Sequence, residues 1–203
     1  MLPEDALAVS RETIACVTVV SGDFELTMDE LRAVTRFVTE SAQRVLPLFE
    51  DAQQGDARPR AAIEAAWEFV NGAARTKLQR VASLDAHRAA KESATEIARL
   101  AARSAGDAAS AAYLHPIAQA GQVGHILRAA ASSARIAELQ AGDNPAAGAR
   151  AIEDARRRAT RTVIDVLSRY PLAPTANNRV SQLMTTLDAA LRANQPGHPI
   201  HRS

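Results

Sequence analysis

Aromatic residues are scarce in this sequence: Phe, Trp and Tyr together make up 3% of its 203 residues. Because β-sheets draw on aromatic and β-branched side chains, this scarcity disfavours an all-β domain. Alanine is abundant instead, with 45 positions, and hydrophobic residues reach 47%. Alanine has the highest helix propensity of all residues, and a chain this apolar can bury a core. The composition predicts an all-α fold, an Ala-rich bundle of about six to seven helices.

Cysteine, lysine and excess charge are also nearly missing. Cys16 is the single cysteine, so no disulfide forms within the chain, which favours a reducing compartment. Only Lys77 and Lys91 accompany 22 arginines, and the formal net charge is +1. A chain with so small a net charge has no general field that attracts nucleic acid or a membrane surface.

No segment is typical of a signal peptide or a membrane span. The N-terminus lacks the positively charged region of a signal peptide. A membrane-spanning helix needs about 20 apolar residues, and the apolar run 13–20 is far shorter. The uncharged stretch 108–127 is long enough, but His115, Pro116 and His125 favour its burial inside the protein. We therefore expect a cytoplasmic protein without membrane contact.

The chain divides into three parts. Residues 1–25 are expected to form an N-terminal arm that is irregular or contains a short strand, since 14–20 is rich in β-branched residues and 21–23 is typical of a turn. Residues 26–193 are predicted to form a single helical domain. Residues 194–203 contain Pro, Gly and His and are predicted to be a flexible tail.

Capping signals place the helices within the predicted domain. Thr27 and Glu30 match a capping box, and the helix that follows is predicted to continue to residues 49–51. Gly106 interrupts a helical pattern and predicts the close approach of a second helix. Further helices are predicted over 59–71, 74–90, 92–112, 117–140, 145–170 and 180–191.

Charge is distributed unevenly along the chain. Residues 1–56 carry eleven acidic and four basic side chains, whereas residues 57–203 carry twelve acidic and twenty basic ones. Two interpretations remain open: the acidic part packs on the basic remainder, or the surface has two patches of opposite sign.

Motifs for catalysis are missing. The sequence contains no G-x-S-x-G, no phosphate-binding glycine loop and no carboxylate pair spaced for acid–base work. His115 and His125 are ten residues apart, which does not place them on one helix face, and His87 lies in another predicted helix. We expect no cofactor and no metal; the alternative is a metal-dependent helical-bundle enzyme that uses these three histidines.

A basic cluster suggests a second alternative. Arg156, Arg157, Arg158 and Arg161 lie in one predicted helix, and guanidinium groups suit phosphate. A helical regulator or adaptor could bind nucleic acid there. However, Glu153 and Asp154 beside the cluster dilute its positive charge, and aromatic residues that stack on bases are lacking, so no nucleic-acid partner is expected.

One stretch carries a distinctive series of motifs. Val-Leu-Pro-Leu-Phe-Glu ends at Glu50, Asp-Ala-Arg-Pro-Arg-Ala-Ala-Ile-Glu follows a short loop, and Ala-Ala-Arg-Ser-Ala-Gly ends at Gly106. The series resembles the family of immunity proteins of bacterial polymorphic toxin systems, some members of which carry an exonuclease label. The resemblance covers residues 26–140 and extends to 145–193. Its motif residues here are Asp56, Arg58, Pro59, Arg60 and Glu64; Asp107 and Tyr113 stand where family members usually carry His.

The resemblance implies a non-catalytic cytoplasmic protein that binds a cognate protein toxin and covers its active surface. Such binding requires a rigid surface that complements the partner. We expect the acidic segment 25–56 to meet a basic toxin, and Arg58 and Arg60 to pair with nearby carboxylates and hold the loop. The candidate contact residues are Glu25, Asp29, Glu30, Glu40, Glu50 and Asp51.

Overall fold

A computed structural model describes residues 19–193 and shows the expected Ala-rich helical bundle behind a short two-stranded sheet. A 3-10 turn, Ala120–Gln122, leads into the sixth helix. Cys16 and the predicted tail 194–203 lie outside the described residues. The elements are β1 Val19–Ser21, β2 Glu25–Thr27, α1 Met28–Gln43, α2 Leu46–Ala52, α3 Arg58–Val70, α4 Lys77–Glu92, α5 Glu96–Ala111, α6 Val123–Gln140, α7 Pro145–Arg158, α8 Arg161–Ser168 and α9 Arg179–Arg192.

The two strands form an antiparallel hairpin that rests on the helices. Val20 pairs with Leu26, and Leu26 is fully buried. In the turn, the Asp23 amide donates to the carbonyl of Pro116 at 2.8 Å, and the Asp23 carboxylate accepts from the Ala118 amide at 2.7 Å. The strand predicted over 14–20 is seen only at its last two residues, since the rest lies outside the described part.

The helix predicted to run from Thr27 to residues 49–51 is divided in two, so that prediction was wrong. Its start is confirmed, because Thr27 and Glu30 form the capping box. However, α1 ends at Gln43 and α2 begins at Leu46. The reason is Pro47, which has no amide hydrogen and whose ring collides with the carbonyl four residues earlier.

The helix predicted over 145–170 is also divided, for a different reason. Ala159 has an extended backbone (φ −64°, ψ 118°), which ends α7. The Thr160 hydroxyl then accepts a hydrogen bond from the Val163 amide at 3.3 Å and caps α8. These two breaks account for nine helices in residues 19–193 where six to seven were predicted.

Helix α5 lies at the centre of the bundle and packs against α1, α2, α3, α4 and α6. Its buried side is built mainly from alanine, and small side chains let helix axes come close together. At Gly106 an added Cβ would lie 2.8 Å from the His87 ring of α4, and the Ser83 hydroxyl of α4 donates to the Gly106 carbonyl at 2.8 Å. The close approach predicted at Gly106 is therefore confirmed.

Candidate protein-binding surface

Helix α4 presents its large apolar side chains to solvent. Leu78, Val81 and Leu84 are 48%, 53% and 53% exposed, and their three-residue spacing places them along one side of the helix. Among the described residues, Leu172 is the other large apolar side chain with high exposure. We call Leu78, Val81 and Leu84 the α4 ridge.

The opposite side of α4 contains only small or polar residues. This side packs on α3 and α5. Because the buried side holds the helix in place without any large apolar residue, the α4 ridge contributes little to the core. The buried residues of α4 are Gln79, Ala82, Ser83, Ala86, Ala89 and Ala90.

Basic side chains flank the α4 ridge. Lys77, Arg80 and Arg88 are exposed on the same helix, at positions next to ridge residues or one turn away. Asp85 is the acidic residue among them, and it pairs with Arg88 at 2.7 Å. The surface is therefore apolar along its middle and positively charged at its edge.

Arg58, a motif residue at the start of α3, connects this helix with the loop before it and with the end of α4. Arg58 binds the Asp56 carboxylate through two bonds of 2.9 and 2.7 Å and reaches Glu92, at the end of α4, at 2.5 Å. Hydrogen bonds from Arg58 lower the pKa of both carboxyl groups. This clamp fixes the loop before α3 against the helix that carries the ridge.

Arg60 makes a second clamp beside the first. Its guanidinium binds the Glu50 carboxylate through two bonds of 2.7 Å and joins α3 to α2. Pro59 is buried at the start of α3, where it needs no hydrogen-bond partner, and Glu64 is exposed. The expected pairing of Arg58 and Arg60 with nearby carboxylates is thus confirmed.

Three of the six acidic candidates already have an arginine partner. Asp29 pairs with Arg32, Glu30 with Arg169, and Glu50 with Arg60. The Glu30 carboxylate also accepts a hydrogen bond of 2.8 Å from the Thr27 amide in the capping box of α1, so it is already engaged. Within residues 19–193 the candidates with no ion pair are Glu25, Glu40 and Asp51.

Residues 25–162 match the family described as Imm-5 like putative immunity protein. The chain belongs to this immunity protein family. The match covers more than half of the 203 residues and contains the clamps, the α4 ridge and α1 to α7. No curated protein and no solved structure matches the chain.

In this immunity protein, Asp107 is a buried structural residue. Its side chain has no exposed surface, and it accepts bonds of 2.9 and 2.8 Å from Arg128 of α6. The Nε2 atom of His87 lies 3.9 Å from the same carboxylate. Burial lowers the pKa of His87, and Asp107 opposes that effect in part.

Tyr113 is the second position at which the chain departs from the pattern that it resembles. Its hydroxyl donates to the Thr76 carbonyl at 2.6 Å, and the guanidinium groups of Arg75 and Arg80 lie 5.7 and 5.0 Å from its ring. These contacts hold the segment before α4. Neither Asp107 nor Tyr113 is presented as a free side chain.

The three histidines of the metal hypothesis do not assemble a ligand set. His115 is exposed in the segment before α6, whereas His125 is half-buried in α6 beside Ser110, 3.4 Å away. In residues 19–193 no group of three or more His, Cys, Asp or Glu side chains is arranged to hold a metal ion.

The basic cluster of α7 and α8 is largely balanced by acids of the same helices. Arg156 pairs with Glu153, Arg157 pairs with Asp154, and Arg161 pairs with Asp165. Arg158 turns inward, and its guanidinium donates to the Ser41 hydroxyl at 3.2 Å. Little charge remains here for phosphate groups.

No helix of the described part is both long and apolar enough to cross a membrane.

Proposed function

We propose that this protein binds a cognate bacterial toxin in the cytoplasm and blocks it by covering its active surface, without catalysing a reaction. Membership of the immunity protein family supports a toxin partner in general. The α4 ridge is the observation that carries the proposal for this chain, because a contiguous row of exposed large apolar residues is typical of a protein interface.

The chemistry of the ridge indicates what it binds. Burying apolar surface favours association, although the freedom that both partners lose offsets part of the gain. Lys77 and Arg80 at the edge would meet acidic side chains and orient the partner as it approaches, whereas Arg88 would have to exchange its present partner Asp85. The toxin surface that fits is therefore an apolar groove with carboxylates along its rim.

The acidic segment supplies a second proposed contact. Glu25, Glu40 and Asp51 keep their charge unpaired within the described residues and would meet basic side chains of the toxin. Asp29, Glu30 and Glu50, also proposed as contacts, would have to exchange their present arginine partners. This requirement makes them weaker contributors than the first three.

Co-expression with any toxin that is encoded beside this gene tests the proposal. The native chain should rescue growth and co-purify with the toxin. The variant Leu78→Asp/Val81→Asp/Leu84→Asp should lose both properties, while the matched control Leu172→Asp, at another exposed leucine, should keep them. Thermal unfolding of each variant checks that the fold is intact.

Two results would contradict the proposed surface. Rescue by the ridge variant together with its loss in Glu25→Lys/Glu40→Lys/Asp51→Lys would move the contact to the acidic segment. If neighbouring toxins neither bind the native chain nor are neutralised by it, the proposed function itself is wrong.

A further inference from the structure

A cleft of about 400 Å³ opens between α5, the start of α6 and the start of α9. This volume lies within the range of small-molecule sites, which are about 300–1,000 Å³. Four arginines from three helices line the cleft, together with one acidic residue, Glu96. The arginines are Arg99, Arg103, Arg128 and Arg179.

Two of these arginines are neutralised by buried carboxylates. Arg128 binds Asp107 at 2.8 Å, and Arg179 binds Glu138 at 2.5 Å. The carboxylate of Glu96 lies 3.6 Å from Arg135, but Arg135 makes shorter contacts with Glu138 and Asp143, so the negative charge of Glu96 is only partly offset. The positive charge that remains in the cleft therefore comes from Arg99 and Arg103, and it exceeds the charge of Glu96.

Arg99 and Arg103 have no acidic partner within residues 19–193. Both are exposed on α5 and are four residues apart, so their guanidinium groups lie on the same side of the helix. Like charges at this spacing repel each other. A bound anion would remove the repulsion, and two unpaired positive charges suit an anion of charge about −2.

Two helices also direct their positive ends toward the cleft. Gly124 in the first turn of α6 lines it, as do Asn178, the N-cap of α9, and Ser181 in the first turn of that helix. The N-terminus of a helix carries about half a positive charge and favours anions. The arginines and the helix ends therefore act in the same direction.

We propose that this cleft binds a small molecule that carries a phosphate or diphosphate group, with Arg99 and Arg103 as its contacts. Planar guanidinium groups bind phosphate oxygens through paired hydrogen bonds. None of the ridge residues lines the cleft, so the site is separate from the proposed toxin contact and does not depend on it.

Calorimetric titration of the full chain with inorganic pyrophosphate tests this site. We expect one site per chain. The variant Arg99→Gln/Arg103→Gln should bind at least about tenfold more weakly, because each lost hydrogen bond joins two charged groups. Arg150→Gln, which changes an exposed arginine of α7 outside the cleft, should bind like the native chain.

The absence of pyrophosphate binding, or equal binding by the double variant and the native chain, would overturn the proposal. Two further probes identify the ligand class. ADP should compete with pyrophosphate for the same site. If a glutamate-rich peptide binds through Arg99 and Arg103 while pyrophosphate does not, the cleft recognises carboxylates of a protein and the proposal is wrong. Matching thermal unfolding of both variants confirms that they are folded.

Discussion

Asp107 and Arg128 form a two-bond ion pair between α5 and α6, with the carboxylate completely buried. Removing Asp107 leaves the charge of Arg128, whose side chain is largely buried, without its partner. We expect Asp107→Ala to lower the free energy of unfolding by about 3 kcal/mol. Urea denaturation followed by circular dichroism measures the change.

The double variant Asp107→Leu/Arg128→Met is the control for this prediction. It removes both charges and keeps much of the volume, so it should be more stable than Asp107→Ala alone. A double variant that is as unstable as the single one would show that packing at Asp107, rather than charge compensation, explains the loss.

Protonation of His87 and His125 should destabilise the protein in mildly acidic solution. Burial lowers the pKa of both imidazoles below the ordinary value of 6.5, so the unfolded chain binds protons more readily than the folded one. The stability from these groups is complete above about pH 6.5 and is lost as the pH falls below that value. Urea denaturation at about pH 7.5 and about pH 5.5 measures the loss.

The variant His87→Gln/His125→Gln checks which groups are responsible. Its free energy of unfolding should change less between the two pH values than that of the native chain. The same change in both proteins would assign the pH dependence to other groups.

Gly106 and His87 should be coupled. An alanine at position 106 would place its Cβ 2.8–3.0 Å from three atoms of the His87 ring, although alanine is preferred to glycine in a helix by about 1 kcal/mol. We expect Gly106→Ala to destabilise the native chain. In a His87→Ala background the same change should stabilise the protein, because the obstacle is gone.

A double-mutant cycle of these two substitutions measures the coupling free energy. If Gly106→Ala has the same effect in both backgrounds, the closeness of α4 and α5 does not depend on the His87 ring.

Substitutions on the two sides of α4 should change the stability of the protein by very different amounts. Leu84→Ser removes an exposed apolar side chain and should change the free energy of unfolding by no more than about 0.5 kcal/mol. Ala86→Leu places extra atoms in a fully buried position and should cost about 1–3 kcal/mol. Urea denaturation of both variants makes the comparison; a larger loss from Leu84→Ser would mean that the ridge belongs to the core.

Local signals in the sequence predicted the helical class and several of its details. The capping box at Thr27, the restart at Pro59 and the close contact at Gly106 all depend on residues near each other in the chain or on the absence of a side chain. Pro47 and Thr160 carried local signals too, but each lies within a longer apolar pattern that continues past the break. The periodicity therefore concealed both breaks.

The candidate surface was harder to predict, because it depends on which side of α4 is buried. Leu78, Val81 and Leu84 have the spacing of a core-facing row, yet the alanines on the other side make the contacts with α3 and α5. Likewise, Asp107 and Arg128 are 21 residues apart, and only the packing of α5 on α6 brings them together. Pairing of this kind has no signature in a single sequence.

Helix α4 packs on its neighbours through small residues, whereas its large apolar residues face the solvent. Mutations along the outer row can therefore accumulate without unfolding the chain. If the ridge contacts the toxin as proposed, such an arrangement would let the choice of partner change through these positions while the packing of the bundle stays the same.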